Sequence, residues 1–155
     1  MDTIIFGLLS GLLFVTLGTF MYRISDKVKL ASLKSKIEHS EDKKGALIKL
    51  LYLCTTKESM RLEAIPYIKI AEETYPIDKQ INISIFFYYT IGHDLDSALR
   101  KADELYSSFP DDPDIVFGKA LTHLRRDEIE LANEYRDNAI ALDKSYAKNK
   151  FIKDI

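Results

Sequence analysis

The sequence of 155 residues contains a single cysteine, Cys54, and no tryptophan. One thiol excludes an intramolecular disulfide framework and a zinc or iron–sulfur site built from cysteines. Because Cys54 follows the apolar run 50–53, we predict that it is a small buried hydrophobe. Only 6 glycines and 4 prolines are present, which excludes collagen-like and linker-rich chains. A formal net charge of −2 provides no overall basic character, so the composition does not favour nucleic-acid binding. Because 46% of the residues are hydrophobic, we expect the chain to fold, with a length that suits about one domain.

Residue combinations typical of enzymes are also missing from the sequence. His39, His93 and His123 lie far apart, and none belongs to a spacing typical of metal ligands or of a catalytic set. The acidic run 111–114 resembles loose calcium ligands, but Pro113 within it favours the start of a helix. The sequence therefore predicts a protein that is not an enzyme and that holds no cofactor or metal.

An apolar segment lies near the beginning of the chain. Thr3 to Tyr22 are twenty residues without a charge, about the length that a helix needs to cross the hydrocarbon core of a bilayer. We therefore predict a transmembrane anchor over 1–23, since a cleaved signal peptide would need a basic start and a small-residue cleavage site. Arg23 and several lysines follow this segment, whereas no lysine or arginine precedes it, which predicts that the C-terminal part lies in the cytoplasm. The sequence thus predicts a single-pass membrane protein, most simply of the bacterial inner membrane.

Small residues within the apolar segment share one helix face. They are Thr3, Gly7, Gly11 and Gly18. Small residues stacked in this way let two helices approach closely in lipid, which predicts a homodimer or contact with another membrane protein. The alternative is that glycine is simply common in transmembrane helices.

A basic segment follows the apolar one. Apolar residues recur there at helical spacing among lysines and serines, which predicts an amphipathic stalk helix within 24–44 that continues to about His39. The apolar positions are Ile24, Val28, Leu30, Leu33 and Ile37.

The strongest pattern in the sequence is an internal repeat of about 34 residues. Alanine recurs at this interval in Ala64, Ala98 and Ala132, and proline recurs in Pro76 and Pro110. This spacing resembles that of the tetratricopeptide repeat (TPR) family, in which the second helix of each pair carries small and bulky residues at fixed positions before a proline. The resemblance implies an all-α solenoid over 45–146, with three helix pairs near 45–78, 79–112 and 113–146 and a capping helix over 147–155.

The repeat departs from the family pattern at several positions. The first unit has no clear turn between its helices, and the third has Arg136 and Lys144 where a bulky residue and proline are usual. The position in the first helix that is usually small holds Tyr52, Phe86 and Ala120 in the three units. In the middle unit the usually bulky partner is Ala102. We therefore predict that Phe86 and Ala102 exchange volumes within one core.

The register of the repeat also predicts a binding groove lined by the first helix of each pair. Its residues are Lys49, Leu53, Ile83, Phe87, Thr90, Phe117, Leu121 and Arg125. A helix or extended peptide with apolar anchors could bind there, although the stalk or the C-terminal helix could fill the same groove. The positions at which some TPR pockets clamp a C-terminal carboxylate do not favour that ligand, since they hold Lys49, Leu53, Ser84, Asp114 and Gly118.

These observations together predict an adaptor or assembly factor that is anchored in the membrane and recruits a protein partner through a small TPR domain. One alternative is an integral subunit of a larger membrane complex. Another is a chaperone-like TPR protein of the periplasm, which the cations after the apolar segment disfavour.

Overall fold

A computed structural model describes residues 24–148, and this part of the chain consists of helices joined by short turns. No strand is present within these residues. The α-helices are α1 (24–39), α2 (Lys43–Thr56), α3 (Ile65–Thr74), α4 (Lys79–Gly92), α5 (Leu95–Ser108), α6 (Pro113–Arg125) and α7 (Ile129–Leu142). Two 3-10 segments, Glu58–Ala64 and Lys144–Lys148, precede α3 and follow α7.

The all-helical part of the predicted fold is confirmed, but the transmembrane helix that it included is not supported. Between residues 24 and 148, every helix is too short or too polar to cross a bilayer. The longest of α2 to α7 have 14 residues, whereas about 20 are needed. The predicted span Thr3–Tyr22, with Gly7, Gly11 and Gly18, lies outside the described residues. The predicted fold is therefore corrected, for residues 24–148, to an all-helical one in which no helix could span a membrane.

The chain divides into two compact units, and the boundary falls between Ala46 and Leu47, within α2. In the first unit, α1 extends to residue 39, as the apolar spacing predicted. Leu30 and Ile37 are buried and lie two turns apart on one face of α1, whereas Val28 is exposed. The predicted amphipathic face is therefore narrower than the spacing of apolar residues alone indicated.

In the second unit, helix boundaries recur at the interval found in the sequence. That interval separates the first residues of α4 and α6, and also the first residues of α5 and α7. The turns that join the two helices of the second and third pairs share one conformation, since His93 and Asp127 have φ of 64° and 60°. A left-handed residue at this point ends the first helix of a pair and reverses the direction of the chain.

The ends of the second helices repeat in the same way. The last residues of α3, α5 and α7 are Thr74, Ser108 and Leu142. In each case the N–H of the next residue donates to the carbonyl four residues earlier. The recurrence therefore extends to hydrogen-bonded geometry over the second unit.

The first helix pair is irregular because of Pro66. Residues aligned with the start of α5 form the 3-10 segment Glu58–Ala64 instead of an α-helix. Pro66 stands in the first turn of α3. Inside a longer helix it would lack an N–H donor and its ring would clash with the carbonyl of Leu62. The α-helix therefore begins only at Ile65, and the unclear turn in the sequence corresponds to this segment.

Phe86 is the largest side chain of the middle core. It is 2% exposed and packs with Ala102, as the predicted exchange of volume requires, and with Ala98, Leu105 and Ile115. The ring also lies against Gly118 of α6, where an added Cβ would fall 2.4 Å from Phe86 Cε1. Phe86 therefore needs a small residue on the next helix pair as well as one within its own.

The three equivalent first-helix positions have different surroundings. Phe86 and Ala120 are buried, whereas Tyr52 is 70% exposed. The repeat pattern predicts Tyr52 as a core residue of the first unit, and this prediction is wrong because the side chain lies at the surface. The neighbouring Cys54 is fully buried, as predicted.

Candidate protein-binding surface

The predicted groove residues of α4 lie along its contact with the middle core. Ile83 and Phe87 are half-buried and pack against the cluster that contains Phe86. Thr90 is 2% exposed, and its hydroxyl donates to the carbonyl of Phe86 at 2.9 Å. In this part of the predicted surface, Ile83 and Phe87 remain partly accessible, whereas the hydroxyl of Thr90 is buried and already hydrogen-bonded.

The predicted residues of α6 form the adjoining part. Phe117 is buried in a second cluster with Val116 and Ala139, Leu121 packs half-buried against this second cluster, and Arg125 is exposed. Arg125 Nη1 donates to the backbone carbonyl of Thr90 at 2.8 Å, which joins the C-terminal ends of α4 and α6. On α2, Lys49 is exposed and Leu53 is half-buried.

A part of the α6 face is covered by the chain itself. Tyr146, in the 3-10 segment after α7, lies with its ring centroid 5.0 Å from that of Phe117. Its hydroxyl donates to Asp114, and burial together with this carboxylate raises the pKa of Tyr146 above its ordinary value. The residues of the α4–α6 face that retain accessible apolar surface are therefore Ile83, Phe87 and Leu121.

Behind this face, α6 carries a buried lysine that the sequence analysis missed. Lys119 is 5% exposed, and its Nζ lies 2.7 Å from Asp103. The ammonium also lies 4.8 Å and 4.4 Å from the ring centroids of Tyr106 and Tyr135. Burial lowers the pKa of Lys119, but the interactions with Asp103 and Tyr135 outweigh it, so the pKa lies above its usual value. The lysine therefore stays charged and links three helices.

A second polar network joins the turn between α6 and α7 to α5. His123 stacks on Tyr135 with centroids 5.2 Å apart, and its Nδ1 lies 2.6 Å from Glu128. Glu128 also accepts from Arg126 Nε at 2.9 Å, and Arg126 Nη1 donates to Asp96 at 2.6 Å. Hydrogen bonds from His123 and Arg126 lower the pKa of Glu128.

This network predicts a dependence of stability on pH. Because the pKa of Glu128 is lower in the folded chain than in the unfolded one, its contribution is present above the ordinary glutamate pKa. The contribution is lost as the pH falls through the folded pKa. We expect Glu128→Gln to be less stable than the wild type at pH 7 and to lose less stability between about pH 5 and pH 3.

Urea unfolding at a series of pH values measures this effect. Glu130→Gln is the matched control, since Glu130 is an exposed carboxylate in the first turn of the same helix. If both variants lose stability in parallel with the wild type, Glu128 does not link pH to folding.

A third buried charge lies between α3, α4 and α5. Lys101 is 7% exposed and pairs with Glu72 at 3.0 Å and Glu104 at 2.7 Å. Burial lowers the pKa of Lys101, but the hydrogen bonds to Glu104 and Glu72 raise it by more, so the pKa lies above its usual value and Lys101 stays charged. Within residues 24–148, no cluster of histidine, cysteine and acidic side chains has a geometry that could hold a metal ion. Lys101 and Lys119 each join their own helix to another one through an ion pair.

The structure also reveals a cavity that the sequence did not indicate. It has a volume of about 380 Å³ and lies between the 3-10 segment, α3 and the C-terminal end of α4. We call it the Arg61 pocket, and its lining residues are Arg61, Leu62, Ile65, Ile68, Tyr88, Tyr89, Gly92 and Asp94. Its residues come from two segments far apart in sequence, which is why no local pattern marks it.

Comparison with known proteins gives no relative from which a role could be transferred. No protein-family model, curated protein or solved structure matches this chain. The function must therefore be argued from the surfaces described above.

Proposed function

We propose that this chain is a TPR-like helical-repeat module that binds a protein partner through the α4–α6 face. The single observation that supports this proposal is the recurrence of helix starts, left-handed turns and helix ends, at one constant interval, between the second and third helix pairs. Helix pairs that repeat in this way stack on one another and leave the first helices on a shared surface.

The chemistry of that surface favours a protein partner. Ile83, Phe87 and Leu121 provide apolar area, and Arg125 lies exposed beside them at the end of α6. An amphipathic helix binds to such a surface with apolar anchors spaced three or four residues apart. The buried lysines behind the surface are already paired, so they rigidify the scaffold on which these side chains are presented.

Site-specific photocrosslinking in the cells that make the chain tests this proposal. A benzoylphenylalanine residue is placed at Phe87 or at Leu121, and Ser107, exposed on α5, serves as the control position. We expect the same adduct from both surface positions and none from Ser107. With the crosslinked partner purified, Leu121→Asp is expected to weaken binding by at least tenfold, because it buries a carboxylate among apolar groups.

Three results would contradict the proposal. The first is the absence of an intermolecular adduct from either surface position, and the second is an equal yield from Ser107. The third is a crosslink from Leu121 to the segment around Tyr146 alone, which would show that the chain itself fills this face.

A further inference from the structure

The backbone of Arg61 is held in place by a hydrogen bond from α4. The hydroxyl of Tyr88, which is 7% exposed, donates to the backbone carbonyl of Arg61 at 2.9 Å. The side chain crosses Gly92, where an added Cβ would lie 3.4 Å from Arg61 Cδ and 3.9 Å from Nε. The 3-10 segment and α4 therefore meet through this residue.

The guanidinium of Arg61 has an unused hydrogen-bond donor. Its Nε is buried and has no hydrogen-bond partner among residues 24–148. Such a group carries a desolvation cost that a carboxylate ligand would offset, since carboxylates accept two parallel hydrogen bonds from arginine. Asp94 also lines the pocket, and its carboxylate accepts from the N–H of Ser97 at 3.2 Å and caps α5. The unpartnered polar group of the pocket is therefore a hydrogen-bond donor, the Nε–H of Arg61.

Apart from Asp94, the rest of the pocket is mostly apolar, and it is open to solvent on one side. Leu62 is 79% exposed and Ile65 is 55% exposed, while Ile68 is buried beneath them. These two side chains give the pocket an exposed apolar rim on which an apolar residue of a ligand can pack. The cavity volume of about 380 Å³ is sufficient for one large side chain together with a carboxylate.

We propose that the Arg61 pocket binds an Asp or Glu side chain of a partner protein, with a large apolar residue of the same segment packed on Leu62 and Ile65. A rotation of the guanidinium toward the cavity lets Nε–H and one Nη–H donate to the carboxylate together. The proposal rests on the proposed function, because it takes the partner to be a protein. It adds a second binding site, with its own chemistry, to the α4–α6 face.

Peptide selection on the full chain tests this inference. The probe is a phage library of random nine-residue peptides held between glycine flanks inside a coat protein, so that each carboxylate comes from a side chain. We expect the wild type to enrich peptides with Asp or Glu beside a large apolar residue. A synthetic peptide of the leading sequence, capped at both ends, then gives a Kd by fluorescence anisotropy.

Two variants with the same change in net charge separate the pocket from general attraction between charges. Arg61→Met is expected to weaken binding of the leading peptide at least tenfold, and Arg100→Met, at an exposed arginine of α5, less than twofold. Replacing the acidic residue of the peptide by its amide is expected to weaken wild-type binding by a similar factor and to leave binding to Arg61→Met unchanged. Thermal melts serve as the folding control, and since Nε is unsatisfied, Arg61→Met should melt at or above the wild-type temperature.

Other results would overturn the inference. Enrichment of basic or uncharged peptides would do so, as would equal loss of binding in Arg61→Met and Arg100→Met. If only a library with free C-termini yields binders, the pocket recognises a terminal carboxylate and not a side chain. If the selected peptides lose binding to Leu121→Asp but not to Arg61→Met, they bind at the α4–α6 face, and the proposed role of the Arg61 pocket is rejected. No enrichment in any library would count against both sites.

Discussion

Replacing Phe86 with alanine is expected to lower the free energy of unfolding by about 3–5 kcal/mol, the range for truncating a buried phenylalanine. The ring is 2% exposed and lies against Ala102 and Gly118, two small residues that have no atoms with which to refill the space. A domain of about 100 residues has only about 5–15 kcal/mol of stability. The melting temperature should therefore fall by at least about 10 °C. Differential scanning calorimetry and urea unfolding measure both quantities.

The repeat itself provides the control for this variant. Tyr52 occupies the same position one unit earlier and is 70% exposed. We expect Tyr52→Ala to change stability by no more than about 0.5 kcal/mol, as for most surface substitutions. Equal effects of the two substitutions would show that the first and second helix pairs bury this position alike, contrary to the structure.

Replacing Gly118 with alanine is expected to destabilise the chain by up to about 2 kcal/mol, although the same change inside a helix usually stabilises it by about 1 kcal/mol. The reason is the contact with Phe86, since the new Cβ would lie 2.4 Å from Cε1 of a ring that is itself enclosed. Gly92→Ala is the control for the glycine-to-alanine change itself. Gly92 is also helical, but its added Cβ would lie 3.4 Å from the nearest atom, Arg61 Cδ, and would not clash.

A double-mutant cycle tests the cause of this effect. In the background of Phe86→Leu the ring is gone, so Gly118→Ala should become neutral or stabilising. We expect a coupling free energy of about 1–3 kcal/mol from urea unfolding of the four proteins. Additive effects would mean that Gly118 is needed for some other reason, such as the path of the α6 backbone.

The two sites proposed for partners differ in how the scaffold supports them. On the α4–α6 face, Arg125 bonds to a backbone carbonyl and Tyr146 covers Phe117. The chain's own contacts therefore reduce the area that is open to a partner. In the Arg61 pocket, the backbone of Arg61 is fixed by Tyr88 while the guanidinium keeps an unused donor. The unpartnered donor of Arg61 lowers the stability of the free chain. Binding of a partner would explain why such a residue is kept.

The sequence could predict the helices and their repeat because both are recorded in local spacing. Alanines one repeat apart mark where second helices approach their partners, and Ala98 and Ala132 are indeed fully buried. The unclear turn of the first pair was also visible in the sequence, whereas its cause, Pro66 in the first turn of α3, emerged only from the structure. The apolar segment near the beginning of the chain illustrates the limit, because hydropathy alone predicted a transmembrane helix there, and no helix of residues 24–148 could cross a membrane.

What the sequence alone determined is thus the all-helical fold of the described residues, the length of the repeat and the burial of Cys54. What only the tertiary structure decided is which of several similar residues are enclosed. Lys101 and Lys119 look like surface lysines in sequence, but acidic residues and tyrosines from other helices enclose and pair them. Tyr52 and Phe86 look equivalent, yet one is exposed and the other buried. Such differences depend on contacts between residues far apart in the chain, and the periodicity of a single helix carries no record of them.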